Sequence, residues 1–254
     1  QSLPKRLQQE LTKHESVSKP EVRLVAYDTQ AAEHVIIGIL YALPHTHRSW
    51  NDIAATVGKM DTAQKKSILD SFFNNRKERW YKPGRALENA DFHFEILMDI
   101  GAYRDLHRHR MLTQERQTFS IYHGFNTPQE VQEAGMDNLY KKALQSIVPL
   151  FKKLERKSPL LAQYVVPLAY RIRFYQKQNL ASLFWEGELR TGSQGHPDYR
   201  HIEQEKYRLF AKKVPLLAPY MQVDMKDYPL ARRGEAERIE AKEQFLQKKL
   251  KQKK

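Results

Sequence analysis

Two stretches of the chain alternate apolar and polar residues, a pattern that predicts β-strands. The segment EVRLVAY, from Glu21 to Tyr27, alternates in this way and is rich in Val and Leu. The segment FHFEILMDI places Phe92, Phe94 and Ile96 on one face, because successive side chains of a strand point to opposite sides of a sheet. We predict a further strand over residues 114–122.

Helical periodicity and capping residues predict most of the remaining elements. Ser49 with Asp52 is expected to open a helix that Gly58 ends, and Asp61 with Gln64 resembles a capping box. The other predicted helices run from Asp28 to about Leu43, Asp137 to about Lys157 with a break at Pro149, Ser158 through Leu168, Asn179 to Arg190, Asp198 to about Lys213, and Glu235 to the end. Strands and helices mix without a regular βαβ alternation, so the sequence favours an α+β fold.

Length and composition indicate a chain that folds around a sizeable core. Its 254 residues, 41% of them hydrophobic and 11% aromatic, suit one large domain or two small ones. We predict an N-terminal arm over residues 1–20, a main domain over 21–230 and a basic helical tail over 231–254. Because Gln1 is not a natural start, the chain is compatible with being half of a longer one.

Two compositional features exclude whole classes of function. No apolar run approaches the roughly 20 residues that span a bilayer, and the mean hydropathy is −0.72, so a multi-span membrane protein is excluded. The chain has no cysteine, which excludes disulfides, a thiol nucleophile and cysteine-ligated metal sites. We expect a cytoplasmic protein that does not associate with membranes.

The chain is basic, with a formal net charge of +13. Residues 231–254 hold nine Lys or Arg and four Asp or Glu, a net charge of +5. Such a tail suits phosphate contacts with a nucleic acid, but a solvated helix end is the simpler interpretation. Phe245 is its one aromatic residue, and single-strand binders usually stack bases on several. Nucleic-acid binding is therefore not favoured.

The densest basic cluster is RDLHRHR, from Arg104 to Arg110. Like charges at this density repel one another unless an anion neutralises them, and Arg side chains bind phosphates and carboxylates in a bidentate way. A salt-bridged surface helix is the alternative. The spacing of His107 and His109 is too weak a signal for a metal site, so no metal is predicted. A Ser-His-Asp hydrolase is not predicted either, because no nucleophile elbow is visible.

The same cluster resembles a known family signature. Arg108-His109-Arg110, the seven residues MLTQERQ and then Thr118 resemble the RHR-x7-S signature of the flavin-dependent thymidylate synthases, the ThyX family. The flanking segments are similar to the family in order and spacing across roughly residues 85–210. These segments are Arg85 to Arg108, which leads into the signature, Gln163 to Arg190, which is similar to the family's ARxVLPL…NAR…hFLxLR stretch, and Arg190 to Arg200, which resembles its closing segment.

The resemblance implies an enzyme that methylates dUMP to dTMP on an α+β fold, an antiparallel-type sheet packed with long helices. Family members take the carbon from methylenetetrahydrofolate and the hydride from NADPH through FAD, and they are homotetramers with sites between subunits. A pyrimidine nucleotide is the implied substrate, and Arg190 is the implied catalytic residue because it matches an arginine that favours the N3-ionised pyrimidine. The implied cofactor-binding residues are Arg108, His109, Arg110, Glu88 and Asn179, and the implied substrate-binding residues are Arg108, Arg116, Thr118 and Arg190.

Structural alternatives stay open for several of these positions. Asn179 suits a helix cap, Glu88 suits a pair with a neighbouring arginine, Trp185 suits packing and Arg190 suits a structural ion pair. The chain also departs from the family's pattern at Arg85, Asp105, Arg116, Thr118, Ser120, Gln163, Ala181 and Trp185. Losing two or three phosphate ligands weakens nucleotide binding by about a thousandfold or more. A catalytically degenerate ThyX-like domain with a structural or partner-binding role is therefore the alternative, followed by a basic nucleic-acid-binding module.

Overall fold

The computed structural model of the chain describes residues 20–228 and 231–251. In chain order the elements are β1 (Glu21–Tyr27), α1 (Ala31–Tyr41), α2 (Trp50–Val57), α3 (Thr62–Phe73), β2 (Asp91–Asp99), α4 (Ile100–Leu106), β3 (Thr113–Arg116), α5 (Gln129–Glu133), α6 (Asp137–Gln145), α7 (Val148–Lys157), α8 (Pro159–Ala162), β4 (Arg171–Asn179), α9 (Leu180–Arg190), α10 (Pro197–Lys213) and α11 (Ala231–Lys251). Short 3-10 helices lie at Arg85–Asn89, Gln163–Val165 and Ala218–Tyr220.

The strands in the described part of the chain form one four-stranded antiparallel sheet with the order β1-β2-β4-β3. The two central strands, β2 and β4, are nine residues long. Backbone bonds at both ends fix their register: Ile100 N donates to Tyr170 O at 2.9 Å, and Leu180 N donates to Ala90 O at 2.8 Å. The mixture of this sheet with helices confirms the predicted α+β fold class.

The core side of the central strands follows the predicted alternation. Phe92, Phe94 and Ile96 of β2 are all fully buried, as the sequence pattern predicts. On β4 the alternation of buried residues continues through Ile172 and Phe174. The next two buried positions on that face are glutamines, which brings polar side chains into the interior.

Several predicted boundaries are confirmed. β1 occupies the predicted strand, and Ser49 and Asp61 cap α2 and α3 as predicted. In each cap the side-chain oxygen accepts a hydrogen bond from a backbone N–H three residues on, at 3.2 Å for Ser49 and 2.8 Å for Asp61. The predicted break near Pro149 is also present, because α6 ends at Gln145 and α7 begins at Val148 with the proline in its first turn.

Two predicted caps are each wrong by two residues. The N-cap of α1 is Gln30, not Asp28. The Asp28 carboxylate instead accepts from Gln30 N at 2.9 Å and bonds His34 Nδ1 at 2.6 Å. The N-cap of α10 is His196, not Asp198, because Pro197 takes the first helical position, where a missing N–H costs nothing.

Two predicted elements are too long, and one strand was missed. The strand predicted over residues 114–122 ends at Arg116, because Phe119 N then bonds the Gln163 side chain at 2.9 Å. The helix predicted through Leu168 ends at Ala162, since the residue before Pro167 is extended. β4 was not predicted at all, because lysine, arginine and glutamine dominate its sequence RIRFYQKQN.

The described residues divide into two compact units. The first unit holds residues up to Val22 together with Glu95–Arg108 and Gln114–Tyr175, and the second holds Arg23–Phe94, His109–Thr113 and the residues from Gln176 onward. The predicted arm lies outside the described residues except for Pro20. Helix α11 covers most of the predicted basic tail, but the three predicted domain boundaries stay predictions.

Candidate functional site

Within the second unit the structure brings together two residues that the sequence singles out, His109 and Arg190. Arg190 is the last residue of α9, and its Nε donates to His109 Nε2 at 2.8 Å. Its guanidinium also lies over the Tyr199 ring, with the central carbon 5.6 Å from the ring centroid. Because a guanidinium has only donors, His109 must accept through an unprotonated Nε2. The pair therefore holds the Arg190 fork in a defined orientation at a half-buried position.

The two ends of α9 explain how this pair is positioned. Asn179 caps the helix, and its side-chain oxygen accepts from Ser182 N at 2.9 Å. The Ser182 hydroxyl donates to Met111 O at 2.7 Å, which ties the segment just after Arg110 to the first turn of α9. The same helix therefore anchors the segment that follows His109 at one end and presents Arg190 at the other.

Helices α9 and α10 also carry a group of ionisable side chains that we call the buried triad: Glu186 of α9, and Glu203 and Lys206 of α10. Their exposed fractions are 0%, 1% and 0%. Lys206 Nζ donates to Glu186 Oε2 at 2.7 Å, to Glu203 Oε1 at 3.1 Å and to Gln176 Oε1 at 2.9 Å. Gln176 Nε2 in turn donates to Glu186 Oε1 at 3.1 Å. The ammonium thereby uses all three of its donors.

The triad contains one more carboxyl than it has cations, and the pKa shifts follow from this imbalance. Burial alone would lower the pKa of Lys206, but the charges of Glu186 and Glu203 raise it. Burial also works against ionised Glu186, yet Lys206 holds the pKa of that carboxyl below its usual value. Burial and the neighbouring Glu186 charge raise the pKa of Glu203 to about 8. At neutral pH the triad is therefore one carboxylate, one ammonium and one protonated carboxyl.

The charges of His109 and Arg190 also affect the pKa values of the triad. His109 acts on Glu186, and Arg190 acts on Glu203, where it opposes the rise in the pKa. Glu203 Oε2 is buried and has no hydrogen-bond partner among the described residues. Such a buried, unpaired oxygen is uncommon in folded proteins, and it marks Glu203 as the member of the triad whose surroundings are incomplete.

The other arginines of the RHR signature are exposed. Arg108, in the first unit, forms an ion pair with Asp105. Arg110, in the second unit, has no ion-pair partner within the described ranges 20–228 and 231–251. Exposed pairs such as Arg108 with Asp105 contribute little and exchange readily for another anion. These guanidiniums therefore remain chemically suited to the diphosphate of a dinucleotide cofactor such as FAD.

The remaining predicted site residues make contacts within the chain. Glu88 forms an exposed ion pair with Arg85 at 3.1 Å, and Asn179 caps α9, so the structural alternatives for both residues are observed. In the first unit the Arg116 guanidinium lies over the Phe119 ring, 4.1 Å from the centroid. Thr118 is exposed near this contact. The ligand-binding roles of these residues stay predictions.

Sequence reasoning missed the buried triad entirely. Glu203 and Lys206 lie three residues apart on α10, a spacing that is equally typical of surface ion pairs. The available signal was Glu186, which follows Leu183 and Phe184 in an apolar stretch. An acidic residue in such a stretch indicates a buried partner, but the partner lies 20 residues further along the chain.

The described residues contain neither a helix that could span a membrane nor a cluster suited to a metal ion. No helix in residues 20–228 and 231–251 is both long enough and apolar enough to cross a bilayer. The same residues bring no three His, Cys, Asp or Glu side chains into a group that suits a metal ion. The charged groups that do cluster are the mixed acid and base side chains around Lys206.

Comparison with known proteins identifies relatives over most of the chain. It is 38% identical over 227 residues to a UPF0159 protein of Chlamydia pneumoniae, covering 89% of this chain and 42% of that protein. It is 33% identical over 221 residues to a UPF0159 protein of Chlamydia muridarum, with coverages of 87% and 41%. A UPF0159 protein of Thermoplasma acidophilum is 31% identical over 215 residues, with coverages of 84% and 43%. The chain spans less than half the length of each relative.

A solved structure and a family assignment complete the comparison. The fold is similar to the crystal structure of a UMP/dUMP methylase, PolB from Streptomyces cacaoi, bound with 5-Br dUMP. The TM-score is 0.62 at 14% identity, and the match covers 82% of this chain and 99% of that one. Residues 23–216 match the family described as thymidylate synthase complementing protein. This match covers most of the chain, and the chain therefore belongs to the thymidylate synthase complementing protein family.

Proposed function

We propose that this chain binds a pyrimidine nucleotide and takes part in the flavin-dependent methylation of dUMP to dTMP, with methylenetetrahydrofolate and NADPH as co-substrates. The observation that carries the proposal is the hydrogen bond between Arg190 and His109. It joins His109 of the RHR signature to the late arginine within the second unit. The family assignment and the similarity of fold to a dUMP methylase support the same substrate class.

In this proposal Arg190 is the residue that touches the pyrimidine. Its Nε donates to His109 at 2.8 Å, which fixes the plane of the guanidinium that is proposed to meet the ligand. Such a planar, permanently charged fork favours a pyrimidine that carries negative charge on its ring. Because His109 and Tyr199 hold Arg190 before the ligand arrives, little reorganisation is needed at the moment of reaction.

Arg108 and Arg110 are the residues that would hold the flavin. When bound, FAD supplies the redox chemistry that the side chains of this protein lack. The two arginines neutralise its phosphates, and the ion pair of Arg108 with Asp105 opens at small cost because it is exposed. Arg116 and Thr118 are proposed to contact the nucleotide, with Arg116 replacing an anion ligand that the family carries elsewhere. Homo-oligomeric assembly and a cytoplasmic location belong to the same proposal.

The decisive experiment measures tritium release from dUMP labelled at C5, together with the visible spectrum of the purified protein. Wild-type protein is expected to show flavin absorbance and to release tritium when both co-substrates are present. Arg190→Lys keeps the charge but loses the fork, so turnover is expected to fall by ~10- to 1,000-fold. Arg208→Lys is the matched control, because Arg208 forms only an exposed pair with Glu205, and its activity is expected to stay close to wild type.

Each other result has a definite meaning. Nucleotide binding without tritium release supports the degenerate alternative, a domain that keeps the fold and the anion site but not the reaction. Absence of flavin even after incubation with FAD, together with absence of dUMP binding, overturns the proposal. Equal tritium release from wild type and Arg190→Lys rejects the role of Arg190 alone.

A further inference from the structure

A surface outside the candidate site combines exposed aromatic rings with cations. It is formed by residues 77–85, which follow α3 in the second unit and which we call the basic aromatic loop. Trp80 is 61% exposed and Tyr81 is 47% exposed. The loop contains four lysines or arginines and one glutamate. Exposed rings flanked by cations are the elements of a surface on which bases stack while their phosphates are neutralised.

The first end of the loop is fixed by the buried side chain of Arg76, which forms a bidentate ion pair with Glu188 of α9. Its Nη1 donates to Glu188 Oε1 at 2.8 Å, and its Nη2 donates to Glu188 Oε2. Its Nε donates to Tyr81 O at 2.9 Å, and Nη2 also donates to Arg79 O at 3.0 Å. One guanidinium therefore ties the backbone on both sides of Trp80 to α9.

Further contacts fix the middle and the second end of the loop. Tyr81 N donates to Glu78 O at 3.0 Å, which closes a turn around Trp80. At the second end Gly84 has a φ of +92°, and a Cβ there would lie 2.6 Å from Phe72 Cζ. Glycine thus allows a backbone conformation and a close approach that other residues would not. Because the loop is held in place without a ligand, its rings are presented with little ordering left to occur on binding.

We propose that the basic aromatic loop binds single-stranded nucleic acid. In this proposal Trp80 and Tyr81 stack on bases, and the exposed side chains of Lys77 and Lys82 contact the phosphates. The binding goes beyond the proposed methylation and uses neither Arg190 nor the RHR signature.

The composition of the loop favours this partner over a membrane surface. Insertion into a bilayer interface depends on the apolar area that is buried, and residues 77–85 contain no leucine, isoleucine, valine or methionine. Base stacking needs only the flat face of a ring. The net charge of +13 attracts a polyanion to the chain as a whole. The basic tail has cations but Phe245 as its one aromatic residue, whereas the loop supplies both kinds of contact.

The test measures binding of a fluorescein-labelled oligo(dT) of ~12 nucleotides to the intact chain by fluorescence anisotropy. Wild type is expected to bind it. In the double variant Trp80→Ala/Tyr81→Ala we expect affinity to fall by about 5- to 150-fold for each base stack that is lost. Trp80→Phe keeps a ring and is expected to retain most of the affinity. Tyr164→Ala removes an 88% exposed ring from the first unit, and this control is expected to bind as wild type.

The salt dependence of binding tests the phosphate contacts separately. The slope of log K against log[salt] is expected to be negative, and Lys82→Gln is expected to reduce its magnitude by about 0.7, the value for one phosphate of a single strand. Lys66→Gln is the control, because Lys66 lies on α3 in an exposed pair with Asp70, and its slope is expected to match wild type. An unchanged slope in Lys82→Gln rejects the phosphate contact of that residue.

Three results would overturn the proposal. The first is that wild type does not bind oligo(dT). The second is equal affinity in wild type and Trp80→Ala/Tyr81→Ala, and loss of binding on deletion of residues 245–254 would then place the contact in the basic tail. The third is binding to vesicles of anionic phospholipid without binding to oligo(dT), which indicates a membrane partner. Tritium release from dUMP is expected to be the same in wild type and the double variant, so the failure of either proposal leaves the other testable.

Discussion

Two of the buried cations, Arg171 in the first unit and Lys206 in the second, are held among polar groups in different ways. In the first unit Arg171 is 7% exposed. Its Nε donates to Asn126 Oδ1 at 2.7 Å, and its terminal nitrogens donate to the carbonyls of His123 at 3.1 Å and Phe125 at 2.9 Å. In the second unit Lys206 is held mainly by two carboxyl groups. Arg171 thus bonds an amide oxygen and two carbonyls, whereas Lys206 bonds two groups that titrate.

The loop around Arg171 places backbone carbonyl groups within hydrogen-bond distance of its guanidinium. Gly124 has a φ of +69°, and a Cβ at this position would lie 3.3 Å from Arg171 Nη1. Glycine therefore allows both the left-handed backbone and the close approach of the guanidinium. Burial lowers the pKa of Arg171 and the charge of Asp99 opposes this, but an arginine stays protonated across physiological pH.

The comparison shows which buried charge is structural and which can respond to its surroundings. Carbonyl oxygens around Arg171 do not change charge between pH 5 and 9, so this contact is expected to be constant. Among the carboxyls around Lys206, Glu203 changes charge within that range, because its pKa is raised to about 8. Of these two cations, only Lys206 is therefore coupled to pH through its partners.

The largest expected effect comes from removing the cation of the triad. In Lys206→Met the Glu186 carboxylate loses its buried partner, and breaking such a pair destabilises by about 3–5 kcal/mol. We expect this loss in the free energy of unfolding at pH 7, measured by urea denaturation. At pH 5 the loss is expected to shrink, because Glu186 can protonate more easily once Lys206 is gone.

Lys212→Met is the control for this variant, because Lys212 is exposed on the same helix. Its unfolding free energy is expected to change by less than about 0.5 kcal/mol. A loss of similar size in the two variants would mean that the helix, and not the triad, is sensitive to losing a lysine. A loss below about 1 kcal/mol in Lys206→Met would contradict the buried pairing itself.

Much of the fold follows from the sequence because local signals carry it. The alternation of Phe92, Phe94 and Ile96 predicts β2, and the capping residues Ser49 and Asp61 predict where α2 and α3 begin. Strand β4 was not predicted from the sequence, because its buried face includes Gln176 and Gln178. A strand pattern is visible only when its buried positions are apolar, and here the interior itself is polar.

Only the Arg190–His109 part of the candidate site could be predicted from the sequence. His109 and Arg190 followed from a family signature, and the structure brings them within 2.8 Å. The buried triad depends on contacts between α9, α10 and β4, and no pattern within one of these segments predicts such contacts. Glu203 and Lys206 are indistinguishable from surface residues until the helix face they share is known to be buried.

A smaller effect is expected from Arg171→Lys in the first unit. The ammonium keeps the charge but cannot reach all three acceptors at once, so some of Asn126 Oδ1 and the two carbonyls lose their donor. We expect a loss of about 1–3 kcal/mol in the free energy of unfolding, and the same loss at pH 5 and pH 8. Arg156→Lys, exposed in the same unit, is the control. A loss that varies with pH would contradict the view that the amide and carbonyl acceptors, which do not titrate, dominate the stability of this contact.

The smallest expected effect is a change in how stability depends on pH. The pKa of Glu203 is raised from its usual value to about 8, so the folded state holds a proton that the unfolded state has released. The stabilisation that this proton gives the folded state has its full value below the pKa of Glu203 in the unfolded chain. It is lost as the pH rises towards 8. Glu203→Gln has no proton to hold, so its unfolding free energy is expected to fall less between pH 5 and pH 8 than that of wild type.

Linkage sets the size of this difference. One proton corresponds to at most about 1.4 kcal/mol for each pH unit, so the upper limit between pH 5 and pH 8 is about 4 kcal/mol. Because the triad shares its protons among coupled groups, we expect only about 1 kcal/mol of this. Glu205→Gln removes an exposed carboxylate from the same helix and is expected to leave the wild-type pH dependence unchanged. If Glu203→Gln and wild type instead lose stability in parallel, Glu203 is already ionised at neutral pH. The contrast between a titrating cation site and a constant one would then disappear.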